Sequence, residues 1–216
     1  DNTAVGLSAL KANTTGTPNT AVGKRALSSN TTGTCNSSVG SASLKANTTG
    51  CENTAMGQQA LTTNTTGEFN TAFGRATLLC NVSGDANTAI GRYSLFENTA
   101  SNNTAVGYHS LICNSSGVFN TGMGAFSLDA NTTAGCNSGF GFNSLSGTTT
   151  GGLNTSMGSN SMRCNTTGNN NVGLGSCALF CNTTGVENVA IGRSALACNT
   201  TTGGNVAIGY NSQYLA

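Results

Sequence analysis

Apolar residues in this chain recur on two fixed phases of a 17-residue repeat. Numbering the repeat from the Asn of its Asn-Thr-Ala phrase, position 4 is apolar in all thirteen copies: Val5, Val22, Val39, Met56, Phe73, Ile90, Val106, Met123, Phe140, Met157, Leu174, Ile191 and Ile208. Position 9 is Leu or Met from Leu10 to Leu196, and Gln213 in the last copy. Position 5 is always Gly, and the step is 17 residues except for one of 16 between Gly91 and Gly107. A fixed period of this kind marks a repeat architecture, and it is too short for helical-hairpin repeats of about 33 residues or more. Glycines at position 5, and usually at position 15, break helices. The pattern therefore predicts short strands, with positions 2 and 4 on one face of the first and positions 9 and 11 on one face of a second. Positions 4 and 9 are expected to point inward. Positions 3 (Ala, Ser or Gly) and 8 (Ala, Ser or Thr) are small, so they abut either the opposite wall of a narrow coil or a second chain in a trimer. One repeat becomes one coil of an all-β, parallel β-solenoid. Thirteen coils at the spacing of neighbouring strands give a rod about 60 Å long. A coil cannot bury its own face, so stability comes from stacking.

Polar residues keep the same period. Position 1 is Asn throughout: Asn2, Asn19, Asn36, Asn53, Asn70, Asn87, Asn103, Asn120, Asn137, Asn154, Asn171, Asn188 and Asn205. Stacked amides of this kind form hydrogen-bonded ladders, and Asn tolerates the left-handed backbone of corners. Position 12 is a second Asn column, broken by Thr148. Ten of its members head an Asn-x-Ser/Thr triplet: Asn13, Asn30, Asn47, Asn64, Asn81, Asn114, Asn131, Asn165, Asn182 and Asn199. They are candidate glycan acceptors in a secreted protein, and equally a turn phrase that serves as a structural ladder. Threonines at positions 13 and 14, such as Thr31, Thr48, Thr32 and Thr49, form two further columns.

Composition narrows the function. Charged residues make up 7% of the chain, against about 25% in ordinary domains, and the formal net charge is +1. Neither nucleic acid nor an anionic membrane is favoured. With no apolar run of about 18 residues, no spanning helix and no membrane insertion are expected. Residues 1–216 read as one solenoid domain. The chain opens at Asp1 and stops at Ala216 within a repeat, as a mature or excised stretch of a longer array would.

Nine cysteines invite a disulfide reading. Cys164, Cys181 and Cys198 share position 11 in consecutive coils, where one pair among them can bridge, and other copies carry the small Ala12, Ser29, Ala46, Ala130 or Gly147 there. The small buried thiol is the plainer alternative. Cys35 and Cys51 lie at corner positions 17 and 16 of adjacent coils and form the better candidate pair. Cys136 stands apart. Bridges would place the chain in an oxidising compartment. No Cys-x-x-Cys occurs and His109 is the single histidine, so no metal or cofactor is expected.

Two phrases carry a resemblance. Asn188-Val-Ala-Ile-Gly192 and Asn205-Val-Ala-Ile-Gly-Tyr-Asn-Ser212 resemble the head repeats of trimeric autotransporter adhesins, which form a left-handed parallel β-roll in a trimer. The full repeat, as in Asn19 to Gly33, is similar to tandem repeats of bacterial and phage tail-fibre-type surface proteins. The cysteines depart from both groups. The resemblance implies an extracellular fibre or adhesin shaft on a cell or virion surface.

The residues and the resemblance converge on a structural role. The seven acids lie in different coils, so no carboxylate pair recurs and enzymatic chemistry is not expected. The partner expected is the chain itself, as a homo-oligomer or end-to-end fibre, with surface glycans or a host receptor contacting positions 6, 7, 16 and 17. Those outward positions include Lys24, Arg25, Arg75, Arg92, Tyr108, Phe142, Arg193 and Tyr210. An ice-binding or carbohydrate-binding solenoid is the alternative.

Overall fold

The computed structural model describes residues 1–214. Each repeat contributes one short strand: β1 (Asn2–Val5), β2 (Asn19–Val22), β3 (Ser37–Val39), β4 (Thr54–Met56), β5 (Thr71–Phe73), β6 (Thr88–Ile90), β7 (Thr104–Val106), β8 (Thr121–Met123), β9 (Ser138–Phe140), β10 (Thr155–Met157), β11 (Val172–Leu174), β12 (Val189–Ile191) and β13 (Val206–Ile208). No helix occurs among the described residues. Two compact units, Asp1–Asn103 and Thr104–Ala216, make up the chain. Each is a parallel β-solenoid, β1–β6 in the first and β7–β13 in the second. Pairing follows the repeat: Thr54, Ala55 and Met56 lie opposite Thr71, Ala72 and Phe73, and Val172, Gly173 and Leu174 lie opposite Val189, Ala190 and Ile191.

Only one wall of each coil is a strand, where two were expected. Positions 5–8 and 9–12 form consecutive β-turns, closed in the second coil by Ala26 N–H donating to the Gly23 carbonyl (3.3 Å) and Asn30 N–H to the Leu27 carbonyl (3.2 Å). This wall is still tied to its neighbour, since Leu27 N–H donates to the Ser43 carbonyl and Ser29 N–H to the Lys45 carbonyl, both at 3.1 Å. Its backbone cannot be a strand because positions 7 and 9 carry positive φ, as at Arg25 (60°) and Leu27 (48°). A left-handed Leu costs about 1 kcal/mol or more. The cost recurs in every coil and is offset by complete burial of the side chain, worth about 1.5–3 kcal/mol for each Leu.

The core lies on the side of the strand opposite to expectation. Position 3 is inside: Ala21, Ala55, Ala72, Ala89, Ala105 and Ala190 are all 0% exposed, as are the position-9 side chains from Leu27 to Leu196. Position 4 points to solvent, with Met56, Phe73, Ile90, Met123 and Met157 all among the exposed residues. Along a strand, alternate residues face opposite ways, so once position 3 is buried position 4 must be outside. The reason position 3 wins is space. A Cβ built on Gly122 would meet Ser110 Oγ at 2.6 Å and Leu111 Cδ1 at 3.4 Å, so the inner wall touches the Leu of the preceding coil directly. The small columns therefore pack against the chain's own opposite wall.

Both Asn columns complete the interior. Asn19 and Asn30 each donate from Nδ2 to the Gly33 carbonyl, at 2.8 and 3.0 Å. Asn19 Oδ1 accepts the backbone N–H of Asn36 at 2.9 Å, and Asn30 Nδ2 also reaches Asn13 Oδ1 at 2.8 Å. The one 16-residue repeat is accommodated in the same scheme. Asn87 and Asn98 both donate to the carbonyl of Ala100, which takes the place of the position-15 glycine.

Candidate functional site

Three features carry side chains arranged in rows: a thiol column, an aromatic row and the outer face of the sheet. The thiols come first because the sequence singled them out. All nine cysteines are free in this structure. Cys51 receives the N–H and the hydroxyl of Thr34 on its sulfur, at 3.3 and 3.4 Å. Register stacks equal positions, so Cys51 lies over Thr34, and the Cys35 corner carries Glu52 in the next coil. The expected Cys35–Cys51 bridge is thus replaced by a Thr–Cys contact, with Cys35 exposed and unbonded.

Cys164, Cys181 and Cys198 do stack, each half-buried. Their backbones are joined by coil-to-coil bonds from Cys164 N–H to the Phe180 carbonyl (3.1 Å) and from Cys181 N–H to the Ala197 carbonyl (2.9 Å). Cys177, Phe180, Cys181, Cys198 and Tyr214 line a cleft of about 300 Å³. Burial, and then the neighbouring Cys164 and Cys198, push the Cys181 thiol above its ordinary value. Cys198, by charge and by a hydrogen bond, raises the Tyr214 phenol. A thiol with a raised value holds little thiolate, the form that attacks disulfides and binds metals. No bridge joins the three thiols in this structure. Among the described residues, no group of three or more His, Cys, Asp and Glu side chains is placed to hold a metal ion.

The aromatic row lies in the second unit at positions 6 and 7. Tyr108 stacks on His109 (3.9 Å, 26°) and meets Phe126 edge-on (5.4 Å, 87°). Phe126 in turn meets Phe142 edge-on at 6.1 Å. Register brings together rings from three successive coils, and Tyr108 and Phe142 remain 41% and 50% exposed. In the first unit, the Arg92 guanidinium lies 4.6 Å from the centre of the Tyr93 ring. Its hydrogen bond to the phenol, and then the charge of Arg75, lower the Tyr93 value. The other outward residues expected from the sequence, Lys24, Arg25, Arg75, Arg193 and Tyr210, are all exposed.

The glycan acceptors need correction. Asn30, Asn47, Asn64, Asn81, Asn114, Asn131, Asn165, Asn182 and Asn199 are 0% exposed, and Asn13 is half-buried. Asn47 Nδ2 donates to both Asn30 Oδ1 (2.8 Å) and the Gly50 carbonyl (2.9 Å). A glycan on that nitrogen would displace the neighbouring coil, so the triplets are turn phrases here. The position-13 threonines are also committed to the fold: Thr31 Oγ1 donates to the Thr48 carbonyl at 3.0 Å, and Thr48 Oγ1 to the Thr65 carbonyl at 3.0 Å. The position-14 threonines, Thr32, Thr49 and Thr66 among them, stay exposed, and those of position 2, such as Thr54 and Thr71, are half-exposed beside the apolar column of position 4.

That outer face is the feature sequence reasoning missed. Position 4 ranges from Val to Phe along the column, with Met56, Phe73 and Ile90 in successive coils, a variation in volume that a close-packed core does not absorb. Position 9 is Leu in all but two copies. The contrast marks which column is inside. No helix of the described residues is long and apolar enough to cross a membrane. Set against models of known protein families, curated proteins and solved structures, the chain finds no match.

Proposed function

We propose that this chain is a structural element of an extracellular fibre or adhesin-like shaft, working as a stiff spacer that assembles with itself. The observation that carries this reading is the redundancy of the coil-to-coil ties. Within each unit, successive coils share a parallel strand ladder, two buried amide ladders and a continuous column of Leu side chains. In the Thr31 coil, three successive amides and one hydroxyl converge on a single carbonyl, that of Thr48. Such a scheme adds stiffness with every coil, and suits load-bearing better than chemistry. The test is electron microscopy of the native material without crosslinker. Filaments whose axial rise is a multiple of the strand spacing support the fibre; isolated particles that never associate overturn it.

Two other readings each rest on one observation. The flat, uncharged position-2 threonine column fits an ice-binding face, and predicts thermal hysteresis lost on Thr54→Tyr. The Tyr108–Phe126–Phe142 row fits sugar stacking, and predicts glycan binding lost on Tyr108→Ala.

A further inference from the structure

We infer that the outer sheet face of the first unit pairs with the same face of a second copy, related by a two-fold axis parallel to the stacking direction. This names the lateral partner within the fibre reading and rests on it only for context.

The face is apolar where a solvated surface would be charged. Val39, Met56, Phe73 and Ile90 are 36–42% exposed, Val5 is 58% exposed, and they form one column. Positions 2 and 4 carry no charged residue in any repeat. Contiguous exposed apolar surface beyond a few hundred Å² marks an interaction site. With the adjoining threonines, this column runs along the β1–β6 sheet without a charged residue.

The borders say what covers it. Just before the strands, positions 16 and 17 place Glu52, Glu68 and Asp85. Just after the strand-ending glycine, position 6 places Lys24, Arg75 and Arg92. The apolar column thus runs between an acidic border and a basic one. A partner that satisfies both must carry the reverse order, and this chain turned by 180° about the stacking axis does so. A two-fold axis along the strands would set acid against acid. The same rotation keeps coil heights equal, so every row meets a row at the 17-residue period, a match that an unrelated surface lacks. Isologous pairing of this kind is the commonest route to a dimer.

Sedimentation velocity on the purified full chain tests this. The expected result is a species of twice 21.5 kDa whose affinity falls at least tenfold between low and high salt. Met56→Lys/Phe73→Lys should give monomer with an unchanged circular dichroism spectrum. Arg75→Glu and Glu68→Lys, which the two-fold sets opposite each other at the height of β5, should each be monomeric alone and form a heterodimer when mixed. A wild-type monomer at all concentrations, or a dimer indifferent to salt and to these variants, overturns the inference. Filaments that survive Met56→Lys/Phe73→Lys would overturn it while leaving the fibre in place. Dimers that never grow further would sustain it and overturn the fibre.

Discussion

The side-chain amides of Asn36 and Asn47 donate to one carbonyl oxygen, that of Gly50, at 2.8 and 2.9 Å. Both residues are fully buried, and each also reaches a neighbouring coil: Asn36 Oδ1 accepts Asn53 N–H at 3.0 Å, and Asn47 Oδ1 accepts Asn64 Nδ2 at 2.9 Å. The pair closes each coil and joins it to the next. Asn47→Ala leaves Asn30 Oδ1 without its donor in a dry interior and takes one of two bonds from the Gly50 carbonyl and from Asn64 Nδ2. One unmet buried acceptor costs about 1–3 kcal/mol and each further lost bond about 0.5–1.5 kcal/mol, so a loss of about 2–5 kcal/mol is expected in urea unfolding. A loss under about 1 kcal/mol would show that water replaces the ladder.

Thr148 breaks the position-12 ladder. Asn131 Oδ1 and Thr148 Oγ1 are both buried without a hydrogen-bond partner. Asn165 Nδ2 bonds the Gly168 carbonyl at 3.0 Å in its own coil. Thr148→Asn restores the repeat's residue and gives Asn131 a donor. A gain of about 1–2 kcal/mol follows from satisfying one buried acceptor, read as a rise of several degrees in Tm.

The inward and outward columns separate cleanly by mutation. Leu61→Ala empties a fully buried site and should cost about 2–5 kcal/mol. Met56→Thr changes a residue that is 42% exposed, and should shift stability by no more than about 0.5 kcal/mol. Thermal melts of both variants at a concentration where the chain is monomeric make the comparison; equal losses would contradict the assigned faces.

Glycine at position 5 is required twice over. Gly57 has φ of 138°, and a Cβ there would lie 2.3 Å from the Gly74 carbonyl oxygen. Gly57→Ala must therefore both strain its backbone and push the next coil away. Loss of the cooperative melt, or a drop of at least about 3 kcal/mol, is expected by circular dichroism.

Asp129 ties stability to pH. The residue is half-buried, its Oδ1 has no hydrogen-bond partner, and burial raises its carboxyl above the ordinary value. The folded chain then holds this proton to a higher pH than the unfolded chain, so stability falls as pH rises through that interval. Asp129→Asn should stabilise the chain at neutral pH, by no more than about 1 kcal/mol because the site is partly solvated. The advantage should vanish below pH ~4, where Asp is protonated in both states. A variant equally stabilised at both extremes would assign the effect to packing instead.

The repeat and its parallel register were legible because one period governs Gly, Asn and Leu alike. Which side of the strand is inside was not, since apolarity alone puts Met56 and Phe73 in a core. The deciding signal was the smallness of Ala55 and Ala72 against Leu61 and Leu78. The second wall was missed because Leu27 and Arg25 give no hint of left-handed backbone; only stacking on the neighbouring coil holds them there. Cys35 and Cys51 were paired as corner positions 17 and 16 of adjacent coils, whereas register sets Cys51 on Thr34. The aromatic row was half visible: Tyr108 and Phe142 were marked as outward, but their joining through Phe126 needed the coil geometry.

The accommodation at Ala100 has a consequence for how such a chain changes over generations. That coil is one residue shorter than the others, yet its two amides meet a carbonyl at the same place, so a difference in length there is absorbed locally. Elsewhere each coil presents to its neighbours the same edge that it replaces. Whole repeats can be copied or excised by unequal recombination without creating a new surface, provided the break keeps its phase. Length is then a heritable quantity tuned in steps of one coil, while single substitutions are judged by the residues above and below them.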